Sequence, residues 1–335
     1  MRGIIMKRIG LLLIILCLTL TGCKKMNEKD VLKEIQKDFD KSKGYELSGD
    51  LSVHNHEEVY QYRVKVSYLK DHYYKVELTN TANNHNQIIL KNDDGVYVLT
   101  PSLNKSFRFQ SDWPYENSQI YLLDAILRDL ERDEKTVIEK KEDSYIFQSS
   151  VNYPNNSRFI TEKVVFSKDL KLKKVKVYDS SGIEVMSMTF DSMKYSPNLK
   201  KQDFNIEQYI KEETEEQTEE SGVLEDIIYP LYVPEGTKLI SEEKIAKTNG
   251  ERVMMNYDGE KSFLLVEETS DVFQEFTIIP SFGEPYFLMD TLGVMTENSL
   301  SWSSNGMDYY LVSDVMSTEE LIEVAESITG IISMK

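Results

Sequence analysis

Few residues in this chain could do chemistry on their own. The densest group is His54-Asn55-His56-Glu57-Glu58, which holds two of the four histidines. On a strand, His54 and His56 would point to the same side, as two metal ligands must. The apolar alternation breaks at this point, however, and the run reads as a polar hairpin turn. His72 and His85 stand in other segments, with no acid fixed beside either by spacing. Asp93-Asp94 falls in a turn and reads as a solvated loop tip. No D-x-D-x-D-G loop offers calcium a site, no glycine-rich loop cradles a phosphate, and no G-x-S-x-G elbow presents a nucleophile. The expectation is a protein that is not an enzyme, with no catalytic residue, no metal and no cofactor.

Cys23 is the other reactive group, one of two cysteines with Cys17. It could serve as a nucleophile, a disulfide partner or an attachment point, and the residues upstream decide between these. Arg2, Lys7 and Arg8 are followed by a run from Ile9 to Leu20 that is apolar apart from Gly10 and Thr19. A basic start and a short apolar run make a secretory leader, too short to span a bilayer as a finished helix. The run ends in Leu20-Thr21-Gly22-Cys23, which resembles the bacterial lipobox. In that reading the small residues let the extended chain enter a peptidase groove, and the thiol receives a thioether-linked diacylglycerol. Cys17 leaves with the leader, so no disulfide can form.

Lipidation at Cys23 places the chain on the extracytoplasmic face of the cell membrane, held by acyl chains such as palmitate. The formal net charge of −18 excludes nucleic acid as a partner and an electrostatic grip on anionic lipid. Attachment must come from the acyl chains, at about 0.8 kcal/mol per buried methylene. A hydrophobic content of 40% with 20 Tyr and 13 Phe argues for a folded body with a real core.

The elements that position these residues divide the chain into five parts: a leader (1–22), a tether (23–28), a first domain (29–208), an acidic linker (209–224) and a C-terminal domain (225–335). In the first domain, Val31, Ile35 and Phe39 recur every four residues and predict an amphipathic helix over 30–41, ended near Gly44. From Tyr45 the period becomes two: Val64, Val66 and Tyr68, then Tyr74, Val76 and Leu78, face one way. Asn92-Asp93-Asp94-Gly95 predicts a tight hairpin. Trp113-Pro114 interrupts the strands, and Tyr121, Leu122, Ala125, Ile126 and Leu130 predict a helix over 118–130 capped by Asn117 or Ser118. Strands resume to Phe190, with a hairpin at Asp179-Ser180-Ser181-Gly182.

Residues 211–220 read KEETEEQTEE, which has nothing to bury and so separates two bodies. Beyond it lie strand patterns at 253–257, 263–266, 276–279 and 309–312. A closing helix spans 318–328, with Ser317 or Thr318 and Glu320 as its start signal. The fold class expected is α+β: an unclosed antiparallel β-barrel or curved sheet with covering helices, plus a smaller C-terminal α+β domain.

A curved sheet rich in aromatics has one face to cover, and Ile35, Phe39, Leu122 and Ile126 are the helical residues placed to meet it. If the helices fill the concave face, the core is structural. If they fill it in part, an apolar cleft lined by these four remains for a lipid acyl chain or a partner segment.

The N-terminal helix, the meander, DDGVYVLTPSLNKSFRFQSDWP, the second helix and VVFSKDLKLKKVKVYDSSGIEVMSMTFDSMKYSPNL together resemble the LolA-like fold of lipoprotein carriers. That fold is an unclosed barrel lidded by helices, and the resemblance covers residues 27–208. Within it the chain is similar to Gram-positive lipoproteins of the sporulation or germination type. The tail from about 225 resembles an uncharacterised C-terminal module of Gram-positive envelope proteins. The resemblance implies a non-enzymatic protein with one of three roles: carrying acylated proteins, sensing envelope stress, or binding a cortex-processing amidase. A carrier must shuttle, whereas this chain is itself lipidated and has a second domain. The expected function is therefore a membrane-anchored binding module for an envelope protein, with lipid or lipoprotein acyl-chain carriage as the alternative.

Overall fold

The computed structural model describes residues 28–55, 58–114, 117–210, 227–288 and 291–332. The leader, Leu20, Thr21, Gly22, Cys23, His56, Glu57 and the acidic run 211–220 lie outside the described residues. Helix α1 (Glu28–Lys41) buries Val31 and Ile35 completely, as their four-residue spacing requires. Six strands follow: β1 (Gly44–Asn55), β2 (Glu58–Leu69), β3 (Tyr73–Asn80), β4 (Asn86–Asn92), β5 (Gly95–Thr100) and β6 (Lys105–Phe109). After helix α2 (Leu123–Arg132) come β7 (Val137–Lys140), β8 (Ser144–Ser150), β9 (Phe159–Ser167), β10 (Leu172–Asp179) and β11 (Glu184–Tyr195).

These strands form one sheet in the order β6-β5-β4-β3-β2-β1-β11-β10-β9-β8-β7, antiparallel throughout. A sheet this wide curls, and its two ends do not pair, so the barrel is unclosed. Strand β1 closes the two halves together between β2 and β11. The β1–β11 register shifts between Ser48 and Gly49, and a Cβ on Gly49 would fall 2.1 Å from the Thr189 carbonyl oxygen. Only glycine fits that approach. Strands β4 and β5 are buried on both faces, because Phe204 and Ile206 cover their outer side against Tyr73, Leu90 and Tyr97. This is why IIL and VYVL read as continuous apolar runs rather than alternating ones.

Helix α2 starts at Leu123 instead of near Ser118. The expected caps are engaged elsewhere: the Ser118 hydroxyl accepts from the Asn152 N–H (2.7 Å), and the Asn117 amide donates to Glu284 (3.1 Å). What fixes α2 is Asp124. Its carboxylate accepts the hydroxyls of Tyr45 on β1 (2.6 Å) and Tyr74 on β3 (2.8 Å), both almost fully buried. The carboxylate lifts the Tyr45 hydroxyl well above the ordinary tyrosine value, together with the larger effect of burial.

The C-terminal part builds β12 (Thr237–Lys247), β13 (Gly250–Gly259), β14 (Phe263–Thr269), β15 (Thr277–Ser281), β16 (Glu284–Phe287), β17 (Leu292–Met295), β18 (Ser299–Ser304) and β19 (Met307–Val312). Seven of them form a second antiparallel sheet, β12-β13-β14-β19-β18-β17-β16. Helix α3 (Thr318–Ile332) covers one face of it with Leu321, Ile322, Ala325 and Ile328, packed with Val253, Leu265, Leu300 and Leu311. Its start is the capping box that Ser317 and Glu320 predict: the Glu320 N–H donates to Ser317 Oγ (3.3 Å), and the Ser317 N–H to Glu320 Oε2 (2.7 Å).

The exception is β15, which leaves its own module and pairs in parallel with β6, making the first sheet twelve-stranded. A strand at 276–279 is legible in the sequence; its membership of the other sheet is not. Replacing Asp124 with alanine strips two buried hydroxyls of this acceptor, and we expect a loss of about 2–4 kcal/mol. Urea unfolding followed by tyrosine fluorescence measures it; a loss under about 0.5 kcal/mol would mean that Asp124 does not hold α2 in place.

Candidate functional site

The concave face of the first sheet is where this architecture would bind a ligand, and the chain fills it from three directions. From α1, Ile35 is fully buried, and Phe39 is partly buried against Tyr45 (ring centroids 6.2 Å apart) and Tyr68 (6.1 Å). From the α2 segment, Leu122 and Ile126 are fully buried in the same core. The third contribution has no counterpart in the sequence patterns. Phe287, Leu292 and Val294 of the C-terminal module join this core, with Phe287 edge-on to Tyr62 at 5.1 Å. Ile35, Leu122 and Ile126 therefore belong to packed interior rather than to the wall of an open cleft.

Around the plug residues a cavity of 80 Å³ remains, lined by Ile89, Trp113, Tyr121, Met186, Phe287 and Leu292, among others. Small-molecule pockets begin at about 300 Å³. Gln87 on β4 seats the plug. Its amide nitrogen donates to the Leu292 carbonyl (3.3 Å), and its oxygen accepts from the Leu292 N–H (2.6 Å) and Thr291 Oγ1 (3.0 Å). One buried side chain thus satisfies both main-chain groups of a residue that no strand of the first sheet could pair. At the rim, Arg158 reaches Glu326 (3.2 Å) and Glu323 (3.9 Å) on α3, Ser157 donates to Glu319, and Lys105 meets Asp308 at 3.1 Å.

Beneath α2 the concave face is polar. Glu162 on β9 is 2% exposed and accepts from Ser149 Oγ at 3.1 Å. Asp129 of α2, equally buried, is paired with Arg132 at 2.7 Å. Burial pushes both carboxyls above their ordinary values, and the Asp129 charge raises Glu162 further; for Glu162 the displacement is large.

The described histidines do not converge. His54 lies 4.0 Å from Glu184, His72 pairs with Asp93 at 3.1 Å, and His85 sits in the β3–β4 loop. Among the described residues, no group of three or more His, Cys, Asp or Glu is placed to hold a metal ion. Gln87, Phe287, Leu292 and Glu162 are the working residues that sequence reasoning missed. A glutamate at an inward position of β9, two residues before Val164, was the one local signal, since alternation alone assigns it to the core.

An unclosed antiparallel barrel with a helical lid, its concave face occupied from within, defines an α+β class of fold. Within that class the assignment rests on sequence. The family model described as "Sporulation protein YdcC-like" matches residues 4–204. The sporulation protein YdcC of Bacillus subtilis (strain 168) is 33% identical over 316 residues, which are 93% of this chain and 94% of that protein. The chain belongs to the YdcC-like sporulation protein family. Solved structures align more loosely. The Pseudomonas aeruginosa MucA/MucB complex matches 89% of this chain and 96% of that one, at 12% identity and a TM-score of 0.32. The LolA superfamily protein NE2245 of Nitrosomonas europaea matches 54% and 98%, at 13% identity and 0.32. The CwlD amidase of Clostridioides difficile in complex with the GerS lipoprotein matches 53% and 97%, at 13% identity and 0.29. Scores this low add nothing to the architecture, which rests on the strand order itself.

Truncating the plug by Leu292→Ala is expected to cost about 2–4 kcal/mol in urea unfolding; a cost below about 1 kcal/mol would mean that the C-terminal module is not seated on the concave face. Glu162 gives a pH test. Its folded-state value lies above its unfolded one, so its contribution is fully present below the ordinary glutamate value of 4.5 and is lost as pH rises above that. Glu162→Gln should therefore flatten the pH dependence and make the protein more stable than the parent near pH 8. Thermal melts near pH 5 and near pH 8 check this, and identical pH profiles for the two proteins would refute it.

Proposed function

We propose that the chain is held by a diacylglycerol on Cys23 at the extracytoplasmic face of the cell membrane. There it acts as a non-enzymatic docking module for an envelope protein during sporulation or germination. Membership of the YdcC-like sporulation family supports the setting. The observation that carries the reading is the occupied concave face. A carrier must keep an apolar cleft open for an acyl chain, whereas here Phe287 and Leu292 reduce the part of the concave face they enter to a cavity of 80 Å³. This disfavours lipid or lipoprotein carriage and leaves the outer surfaces of the two modules as the place of recognition. The cortex amidase implied by the resemblance is the first partner to test.

Cross-linking and capture of the anchored protein from sporulating and vegetative cells tests the reading. An envelope protein enriched in the sporulating sample is the expected result, and recovery of no specific envelope protein from either would sink it. The anchor is tested separately. Cys23→Ser should shift the chain from the membrane fraction to the soluble one; a variant that stays fully in the membrane would rule out the lipid on Cys23.

A further inference from the structure

We propose that the cleft between the second sheet and strand β6 binds a pyranose sugar that carries a carboxylate. This ligand site is separate from protein docking and survives if that reading fails. The cleft has a volume of 390 Å³, within the range of small-molecule sites. Its floor is the face of the second sheet that α3 does not cover. Two rows of side chains cross that face in register. One is Arg252, Glu268, Asp308 and Ser303; the next is Met254, Val266, Tyr310 and Ser301. Lys105 and Phe107 of β6 face them from the first sheet.

The charges decide which ligand fits. Both carboxylates are neutralised within the protein. Asp308 accepts from Lys105 (3.1 Å), Ser270 (2.9 Å) and Ser303 (2.5 Å), and Glu268 is met by Arg252 (2.5 Å) and Lys247 (3.5 Å). A cation therefore finds no vacant acid. Arg252 uses only Nε for that contact, and its side chain is 43% exposed. Its two terminal nitrogens keep their donors among the described residues, in the fork geometry that matches a carboxylate. Across the cleft, two strands away and in the neighbouring row with Met254 and Val266, stands the Tyr310 ring, 43% exposed. A flat aromatic face on one side of the cleft and a donor fork on the other suit a ring with one apolar face and one acidic substituent that spans them.

The backbone argues against a peptide in this place. Strands β13, β14, β19 and β18 are interior to their sheet, and β6 lies between β5 and β15. The lining strands therefore have no unpaired edge on which an extended segment could form a ladder. Recognition must run through side chains, which favours a compact ligand.

Titration calorimetry on the full two-module chain would use glucuronic acid and N-acetylmuramic acid, with glucose and N-acetylglucosamine as neutral counterparts. At least one acid should bind, about tenfold or more tighter than its neutral counterpart. Which acid binds tighter supports the site either way and tells whether the carboxylate sits on the ring or on a lactyl arm. Arg252→Lys keeps the charge but removes the fork and should weaken binding about tenfold. Tyr310→Ala should do the same and Tyr310→Phe should not; Tyr310 is exposed, so both variants fold. Equal binding of acids and neutral sugars, an unaffected Arg252→Lys variant, or no binding at about 10 mM would overturn the proposal. So would tighter binding of an acetylated Glu-Phe dipeptide amide.

Discussion

The parallel pairing of Thr277–Ser281 with Lys105–Phe109 sets the position of everything that distinguishes this molecule. Parallel neighbours cannot be joined by a tight turn, so such a pairing always ties together distant stretches of chain. Here it covers the β6 edge that the first sheet would otherwise expose. Further hydrogen bonds reinforce it: the Asn104 side-chain amide donates to the Phe273 carbonyl (2.9 Å), and the Thr277 N–H to the main-chain carbonyl of Asn104 (2.8 Å). Because β16 starts three residues after β15 ends, the ladder also delivers Phe287 to the concave face, where Gln87 then captures Leu292. The floor of the interdomain cleft is placed by the same constraint.

The polar contacts around this junction orient the modules more than they bind them. Pairs such as Arg158–Glu323, where both side chains are about two-fifths exposed, contribute on the order of 0–1 kcal/mol. Glu326 is different. It is largely buried, and its carboxyl is held above the ordinary value because desolvation outweighs the pull of Arg158. The pair restricts where α3 can sit, and the apolar contacts of Phe287, Leu292 and Val294 supply the attraction. At the junction the buried Lys105 and the half-buried Arg158 face the acids of the C-terminal module, Asp308 and Glu326.

Local periodicity carried most of the elements. The four-residue spacing in α1, the Asp-Gly hairpin between β4 and β5, and the Ser317–Glu320 box are short-range signals with short-range causes, and each is where the pattern puts it. The start of α2 was misplaced because Ser118 and Asn117 are good caps in isolation, and only distant partners, Asn152 and Glu284, take them out of use. The plug was invisible for the same kind of reason. Phe287 and Leu292 look like ordinary core residues of a small module, and nothing local says which core they enter. The lipobox resemblance of Leu20-Thr21-Gly22-Cys23 is fully local, but these residues lie outside the described ones.

How a partner could be held follows from the sheet edges. Strand β7 is four residues long and carries Glu139 and Lys140. Strand β12 has a register shift between Leu239 and Ser241 and three lysines. Strands β15 and β16 carry Pro280 and Pro285. Each described edge thus bears a charge, a bulge or a proline, the usual means of preventing strand addition. A concave face occupied by the plug opposes insertion there, and blunted edges oppose augmentation. Recognition is left to side chains on the outer faces, which the two packed sheets hold in fixed positions.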